Sequence, residues 1–452
     1  MEARIRKALA AGRADHIEIR LEQMTSSTVR YTGEDLEDIG ARGSAGGCVR
    51  ALVNGGWGFV SFNDAAELDR YVRLACEQAA MVGCSQRALA PVPAVVDSVI
   101  NSVIEDPRKV SLEEKERLVR GYNEIIRKSP RIQTSSANYT DVHSVQTIAT
   151  SEGAFVRQET VYCRLMLVGV ARDGVNVQQA FESVGDLKGF QIVRGLEAEC
   201  EDVAKRAADL LSAQPVEGGR YTVICDPKLT GVFVHEAFGH LSESDFLYEN
   251  PDMLEMMAAG KRFGVDDLSV VDDPTLPDEA GSYEYDDEGT PASKTWLIRN
   301  GLLCGHLHSR ETAAQMGEAP TGNARALGYS NAPIVRMSNT YLEPRESSLE
   351  EMIADIDNGI YAVGALGGMT DAEMFTFSAG EAYAIRGGKL AGKLRDVVLT
   401  GNVKETLMNI DAIGSDLEFT PGGCGKGGQS PLRVSTGGPH IRIRNVVIGG
   451  RQ

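Results

Sequence analysis

Histidine is scarce in this 452-residue chain, which has only seven, and several features that mark other protein classes are absent. No apolar run is long enough to span a bilayer, which argues against an integral membrane protein. Residues 1–7 carry mixed charge and no apolar stretch follows them, so no secretory signal is visible. We therefore expect a cytoplasmic protein that has no membrane partner.

Positive charge is also in short supply. The 46 Lys and Arg residues are outnumbered by 64 Asp and Glu, which gives a net charge of −18, and no run of basic residues stands out. Such a balance repels a polyanion, because neutralising phosphates with Lys and Arg is the main source of sequence-independent affinity for nucleic acids. We expect no nucleic-acid partner.

The eight cysteines form no C-x-x-C pair. Scattered cysteines of this kind are typical of reduced intracellular thiols, most of them simply buried. They stand at Cys48, Cys76, Cys84, Cys163, Cys200, Cys225, Cys304 and Cys424.

With 42% hydrophobic and 24% charged residues, the composition is that of a soluble globular protein, and the length is too great for one ordinary core. The linker-like segment 215–219 predicts a boundary between an N-terminal domain, 1–214, and a C-terminal domain, 215–452. Both halves mix strand and helix patterns. We expect an α+β fold with antiparallel sheets and flanking helices in each half, rather than a doubly wound parallel sheet.

Local patterns place the main elements. Alternation predicts strands within 16–62 and 131–184, and at 221–225, whereas apolar residues at helical spacing predict helices at 64–81, 111–126, 193–211 and 228–241. Asn54-Gly55-Gly56 and Asn300-Gly301 are strong hairpin signals. Ser111 begins a capping-box pattern ahead of the second helix.

Residues 235–240 read H-E-A-F-G-H and bring two of the seven histidines beside a carboxylate. Two neutral imidazoles suit Zn²⁺, and Glu236 could take a proton from a metal-bound water. On a regular helix, residues five apart diverge by roughly 140°. The helix must therefore contain a π-like turn or end at Gly239, whose backbone freedom would permit the deformation, if His235 and His240 are to share a metal.

Such a site needs a third ligand. Cys424 is favoured because it lies in a glycine-rich block, 421–430, and because nearby Lys426 would lower its thiol pKa; a flexible loop with an inert cysteine is the alternative. His306 and His308 alternate on a predicted strand and could form a second site, although a partly exposed polar face is the more ordinary interpretation. The candidates for the third ligand of His235 and His240 are His306, His308, His440, Cys304 and Cys424, besides several carboxylates.

The two histidines, Glu236, Cys424 and several further sequence segments together resemble the TldD/PmbA metallopeptidases. The chain is most similar to their metal-bearing TldD-type subunit. The order and spacing of the blocks carry the resemblance across nearly the whole chain. They are residues 54–59, 235–240, 286–289, 320–325, 336–341, 358–361 and 424–430. Phe238 departs from the pattern, where a smaller aliphatic residue is expected.

The resemblance implies a two-domain zinc peptidase in which His235, His240 and Cys424 hold the metal and Glu236 is the general base. It also implies a dimer, formed with a second copy or with a non-catalytic TldE/PmbA-like relative, that cleaves unfolded peptides in a shielded cavity. We expect the peptide to lie extended beside a strand of the C-terminal half, held by main-chain hydrogen bonds.

An oxyanion donor or substrate contact is also required. The candidates in the resembling blocks are Asn323, Arg325, Asn339 and Tyr341, each of which could instead stabilise a loop.

Two other functions remain open. One is a non-catalytic regulatory or binding subunit with a structural metal, since members of the family have been discussed as modulators of DNA gyrase. The other is a different hydrolytic or redox enzyme that uses Fe²⁺. Three protein ligands beside a glutamate favour catalysis, because structural zinc normally has four, and a thiolate ligand favours zinc.

The charge balance generates a direct test. At physiological salt we expect no appreciable binding to duplex DNA, measured by fluorescence anisotropy of a labelled duplex, because the net charge opposes the electrostatic term of non-specific binding. Micromolar or tighter binding with a steep salt dependence would contradict the prediction.

Overall fold

Long segments of alternating polar and apolar residues build the first sheet. The computed structural model describes residues 1–83, 87–371 and 373–450. The sheet comprises β1 (His16–Thr32), β2 (Asp35–Val53), β3 (Gly56–Phe62), β4 (Val96–Ile100), β5 (Ile132–Thr150), β6 (Phe155–Asp173) and β7 (Asn176–Asp186).

The order of this sheet is β3-β2-β1-β5-β6-β4, with β7 also paired to β6, and its pairings are antiparallel except β4 with β6. Helices cover it with their apolar sides. They are α1 (Glu2–Ala11), α2 (Leu68–Val82), α3 (Leu112–Arg127) and α4 (Glu197–Leu210). The Ser111 side chain accepts a hydrogen bond from Glu114 N, as the capping pattern predicts, whereas α1 was not predicted.

The second half contains shorter strands and helices. The strands are β8 (Gln214–Pro215), β9 (Gly219–Cys225), β10 (Val270–Asp272), β11 (Thr295–Arg299), β12 (Leu302–Leu303), β13 (Ala324–Arg325), β14 (Ile334–Val335), β15 (Asn339–Leu342), β16 (Asn358–Asp371), β17 (Met374–Arg386), β18 (Lys389–Arg395), β19 (Val397–Asn402), β20 (Ile410–Ile413), β21 (Glu418–Lys426), β22 (Gln429–Gly438) and β23 (Ile441–Gly450). The helices are α5 (Pro227–Val234), α6 (Pro251–Met256), α7 (Arg310–Met316), α8 (Leu349–Ala354) and α9 (Val403–Met408).

Two large sheets contain all of these strands except β13 and β14, which pair with each other. One has the order β12-β11-β10-β15-β22-β21, and the other has β16-β9-β23-β19-β17-β18-β8 with β20 beside β23. An additional pairing of β16 with β17 closes part of the second sheet on itself. Mixed sheets that are mostly antiparallel and are flanked by helices confirm the α+β expectation.

Helix α5 lies between the two sheets of the second half and packs against β16 and β22. Its sequence, P-K-L-T-G-V-F-V, is apolar almost all round, which suits a helix with protein on every side. Phe233 contacts Phe375 and Phe377 edge-on, with ring centroids 5.4 and 5.7 Å away. This packing makes α5 the central helix of the core.

The predicted hairpin turns are confirmed. Asn54 and Gly55 have φ values of 47° and 77°, and Asn300 and Gly301 have 50° and 76°, which are the paired positive values of a type I′ turn. Every strand up to residue 186 belongs to the first sheet and every strand from residue 214 to the others. The domain boundary at 214/215 stays a prediction.

The helix predicted over 228–241 is confirmed, since the regular turns to Val234 are followed by a π turn and a 3₁₀ turn that reach Ser242. Two local expectations were wrong. The expected linker at 215–219 begins and ends in strand, since β8 pairs with β18 and β9 starts at Gly219. His306 and His308 follow β12 instead of lying on it, and both are buried, so they are not a partly exposed polar face.

The cysteines outside position 84 are free, and all except Cys304 are buried. Cys84 lies outside the described residues. Among the described helices, none has both the length and the apolarity needed to cross a membrane.

Candidate metal centre

A single widened turn carries the H-E-A-F-G-H segment. Residues His235–Gly239 form a π turn, in which the N–H of His240 donates to the carbonyl of His235 five residues earlier. The imidazole centroids lie 5.2 Å apart. The π turn confirms the geometric prediction, because the extra residue in the turn returns residues i and i+5 to one side of the helix.

Gly239 is needed for a different reason than expected. Its φ and ψ of −55° and −49° are ordinary helical values, so no special backbone freedom is used. A Cβ built there would lie 2.1 Å from the Sδ atom of Met337, which is fully buried. Glycine at this position therefore permits a close approach of Met337 to the helix.

Cys424 reaches the histidines from β21, the last strand of its sheet. Its Sγ lies 3.4 Å from His240 Nε2, and one donor atom from each of His235, His240 and Cys424 lies within 4.8 Å of the others. For bonds of about 2.0 Å to nitrogen and about 2.3 Å to sulfur, tetrahedral zinc ligands stand about 3.5 Å apart. The structure brings the three side chains together at a spacing that suits a metal.

The donor set also fits a metal chemically. His235 is buried, and its Nδ1 has no hydrogen-bond partner within the described part of the chain. His240 Nδ1 lies 2.9 Å from Glu243 Oε2, which fixes the ring and directs Nε2 toward Cys424. A carboxylate behind a ligating histidine is the usual arrangement in metal sites.

Lys426 acts on Glu243 and not on the thiol. Its Nζ lies 3.1 Å from Glu243 Oε2 and donates to Asp245 Oδ1 at 2.5 Å and to Val335 O at 2.8 Å. The expected effect of Lys426 on the thiol pKa is therefore wrong. Glu243 was missed in the sequence, although its position three residues after His240 placed it on the same helical face.

Protonation of the cluster favours a thiolate. Burial raises the pKa of Cys424, but hydrogen bonds from His235 and His240 outweigh it and lower that pKa to about 5. Burial lowers the pKa of His240, whereas its contacts with Cys424 and Glu243 raise it to about 10. A thiolate is the form of cysteine that binds metals.

Glu236 faces a cavity beside these groups. Its Oε2 lies 3.9 Å from His240 Nε2, and burial is the main cause that raises its pKa. The cavity has a volume of about 550 Å³ and also borders His235. Its walls include residues 179–183 of β7, 363–367 of β16 and 420–423 of β21, so that both halves of the chain contribute.

The fully buried Arg336 holds the end of the strand that carries the thiol. Its guanidinium donates to Cys424 O at 2.7 Å and to Gln429 O at 3.2 Å, spanning the turn between β21 and β22. The motif block pointed to Arg336, but nothing local indicated this contact.

Asn323 and Arg325 hold neighbouring loops. Asn323 is fully buried and donates to Asp272 Oδ2 and to Arg336 O, at 2.9 and 3.1 Å. Arg325 donates to Met337 O and Arg433 O, at 2.5 and 2.8 Å. Both residues therefore support the segments around the centre, and their role toward substrate stays a prediction.

Asn339 and Tyr341 lie on β15. Asn339 is fully buried and donates to Asp273 O at 2.8 Å and to Ser282 Oγ at 2.9 Å. The Tyr341 ring packs edge-on against Phe419, with centroids 5.3 Å apart. Neither residue borders the cavity beside Glu236, and their role in binding substrate also stays a prediction.

The other proposed third ligands have different partners. His440 Nδ1 lies 2.5 Å from Asp416 and its Nε2 lies 2.9 Å from the Tyr361 hydroxyl. Cys304 Sγ contacts Trp296 O at 3.3 Å. His306 and His308 instead share Glu318. Phe238, which departs from the motif, is buried and packs against Phe263.

Family models match three consecutive regions of the chain. Residues 17–79 match PmbA/TldA metallopeptidase domain 1, residues 105–214 match the central domain, and residues 218–450 match the C-terminal domain.

Similar proteins span the same length. A metalloprotease from Synechocystis is 46% identical over 440 residues, covering 97% of this chain and 95% of the relative. A protein from Saccharolobus solfataricus, named as a zinc metalloprotease TldD homologue, is 29% identical over 454 residues and 99% of both chains. These relatives are similar throughout and not in one domain alone.

Solved structures share the fold at low sequence identity. TldE from Thermococcus kodakarensis has a TM-score of 0.78 at 19% identity and is covered over 100% of both chains. A Thermotoga maritima protein, named as a candidate modulator of a DNA gyrase, has a TM-score of 0.78 at 20% identity, with 96% of each chain covered. At these identities the likeness concerns the fold.

The contact between Gly239 and Met337 generates a stability test. We expect Gly239→Ala to lower the free energy of unfolding by about 1–3 kcal/mol, because the added methyl overpacks a closed core. The matched control is Gly121→Ala on α3, where a Cβ meets nothing within 4 Å, and alanine there should be neutral or stabilising. Both are measured by denaturant unfolding. Equal stability of the two variants would show that Met337 does not constrain the turn.

Proposed function

This chain belongs to the TldD/PmbA family of metallopeptidases, and we propose that it is a zinc-dependent peptidase whose metal is held by His235, His240 and Cys424. The observation that carries the proposal is the convergence of these donors beside Glu236 at the wall of a cavity. Three protein ligands leave one position of a tetrahedral zinc open for chemistry, whereas a structural zinc normally has four.

Glu236 is the proposed general base. When bound, zinc would activate water and polarise the scissile carbonyl as a Lewis acid. Glu236 borders the cavity and lies within 4 Å of His240, so it can take a proton from the attacking water and deliver it to the leaving amine nitrogen. Its position one residue after His235 keeps the carboxylate beside the ligands through both transfers.

The cavity walls suit an extended peptide. Among the described strands, β21 pairs only with β22, and beyond Ala362 β16 pairs with β17 but no longer with β9. β21 and β16 therefore each have one edge free of strand pairing where they border the cavity. A peptide added beside such a strand is held by main-chain hydrogen bonds that tolerate many sequences. Asn323, Arg325, Asn339 and Tyr341 remain proposed substrate-binding residues.

The working form is proposed to be a cytoplasmic dimer that shields the cavity. Two partners suit the fold: a second copy of this chain or a TldE/PmbA-like relative, since TldE of Thermococcus kodakarensis shares the architecture. Recognition through the main chain gives the peptidase little sequence preference. A shielded cavity would limit its substrates to unfolded chains, because a folded protein could not enter.

Replacement of Glu236 by glutamine tests the chemistry. Glu236→Gln should retain its metal but cleave an unfolded peptide at least about a hundredfold more slowly, because it removes the base and leaves the ligands. Metal content is measured by atomic emission, and cleavage by mass spectrometry of the products.

Glu255→Gln is the control for that variant, since Glu255 lies on α6 with an 85% exposed side chain, and it should behave as wild type. Wild-type turnover of Glu236→Gln would assign the base elsewhere. A protein that binds metal but cleaves no peptide with Glu236 intact would favour a regulatory subunit with a structural metal. Iron in place of zinc would favour a different hydrolytic or redox enzyme.

Folded and unfolded substrates separate the proposed binding mode from ordinary surface proteolysis. We expect rapid cleavage of short peptides and of a destabilised variant of a test protein, and much slower cleavage of the same protein when it is stably folded. Rates are followed by gel electrophoresis under identical conditions. Equal rates on the folded and unfolded forms would contradict both extended binding and the shielded site.

A further inference from the structure

A second group of metal-type donors lies outside the cavity. His306 and His308 are buried after β12, and Glu318 follows α7 with a side chain about one-third exposed. One donor atom from each of the three lies within 4.8 Å of the others. The cavity beside Glu236 is bordered by none of them.

The hydrogen bonds of His306 determine which of its nitrogens faces the carboxylate. Its Nε2 lies 2.8 Å from Met257 O, and a carbonyl only accepts, so Nε2 carries a hydrogen. The neutral ring then presents the lone pair of Nδ1 to Glu318 Oε1 at 2.9 Å. Two acceptors at that distance repel unless a positive charge lies between them.

His308 completes the arrangement from the other side. Its Nε2 lies 3.1 Å from Glu318 Oε2, and its Nδ1 lies 3.1 Å from the hydroxyl of Thr312. A threonine hydroxyl can accept from Nδ1–H, which directs the lone pair of Nε2 toward the carboxylate. Both rings are therefore held from behind by a polar partner, as ligating histidines are in metal sites.

We propose that His306, His308 and Glu318 form a second zinc site, separate from the catalytic centre. Two imidazole nitrogens and a carboxylate oxygen are donors that zinc binds, and the second carboxylate oxygen can supply a fourth donor atom. The observed separations of 2.9–3.2 Å need to expand only slightly, since tetrahedral ligands at about 2.0 Å from zinc lie about 3.3 Å apart.

The place of this site in the fold indicates its role. Leu307, between the two histidines, donates to Ser242 O at 2.8 Å and accepts from Ser244 N at 3.1 Å. Those serines flank Glu243, the partner of His240. A metal here would brace the segment that orients a ligand of the first site, and would join residues 306–308 to Glu318 without a disulfide.

The alternative to zinc is a proton shared between the histidines and Glu318. The zinc content per chain, measured by atomic emission, distinguishes zinc from the shared proton. Dialysed wild-type protein should contain two zinc per chain, Glu318→Gln one and Cys424→Ser one. Glu105→Gln is the matched control, because Glu105 has a 33% exposed side chain against 34% for Glu318 and pairs with Arg194 in the N-terminal half; it should retain two.

Cobalt substitution distinguishes the sites by their donors. The first site contains a thiolate and should give a sulfur-to-cobalt charge-transfer band, whereas the second contains only nitrogen and oxygen. Glu318→Gln should lose one cobalt with this band intact, and Cys424→Ser should lose the band but retain one cobalt. Failure of the Cys424 centre to bind metal would therefore not contradict the proposed site at His306, His308 and Glu318.

A zinc-edge anomalous map of the wild-type crystal needs no variant and should show a peak between His306, His308 and Glu318. One zinc per chain in the wild type, unchanged in Glu318→Gln and with no peak at this cluster, would overturn the proposal in favour of the shared proton.

Discussion

The candidate metal centre depends on one widened turn of helix. His235 and His240 are five residues apart, a spacing that a regular helix cannot direct at one point. The π turn at His235–Gly239 resolves this, but a π turn is rare and persists only where its surroundings impose it. Here α5 is enclosed by two sheets, and Met337 fills the space against Gly239. The core packing therefore sets the geometry of the donors.

The start of α5 is anchored as firmly as its end. Asp226 Oδ1 accepts from Leu229 N at 2.8 Å, which caps the helix, and from Gly364 N at 2.9 Å. Gly364 lies on the part of β16 that borders the cavity, with a φ of 63°. One carboxylate thus ties the helix that carries the histidines to a strand proposed to hold the substrate.

Buried charges connect the remaining pieces. Glu243 is fully buried and Lys426 nearly so, and such charges are costly unless each is paired and hydrogen-bonded. Glu243 links His240 to Lys426, two residues beyond Cys424, so the same pairing that satisfies the lysine holds β21 against the helix. Removal of Glu243 would leave Lys426 with Asp245 as its carboxylate partner, and removal of Lys426 would leave Glu243 with His240. Either change would break the link between β21 and the helix, which makes this ion pair a constraint on geometry.

Local patterns in the sequence predicted the parts that depend on local chemistry. Alternation predicted the long strands, and Asn-Gly predicted the positive-φ turns. The i+5 spacing predicted either a π-like turn or a helix end at Gly239, and the π turn is what the structure has. Local patterns could not predict the features that depend on contacts between residues far apart in the chain. The need for glycine at 239 comes from Met337, and the rings of His306 and His308 are oriented by hydrogen bonds with Met257, Thr312 and Glu318. Lys426 lies close to Cys424 in sequence, yet its charge is engaged by Glu243 and Asp245.

The two donor clusters differ in the way their functions would require. In the proposed peptidase, the first combines a thiolate and two imidazoles at a cavity wall, with Glu236 beside it and one coordination position of the metal left for chemistry. The second has a carboxylate with both oxygens directed at histidines, and it does not border that cavity. The backbone at 242–244 joins them, since it carries Glu243 on one side and pairs with Leu307 on the other. A metal in the second cluster would hold the first in shape without entering its reaction.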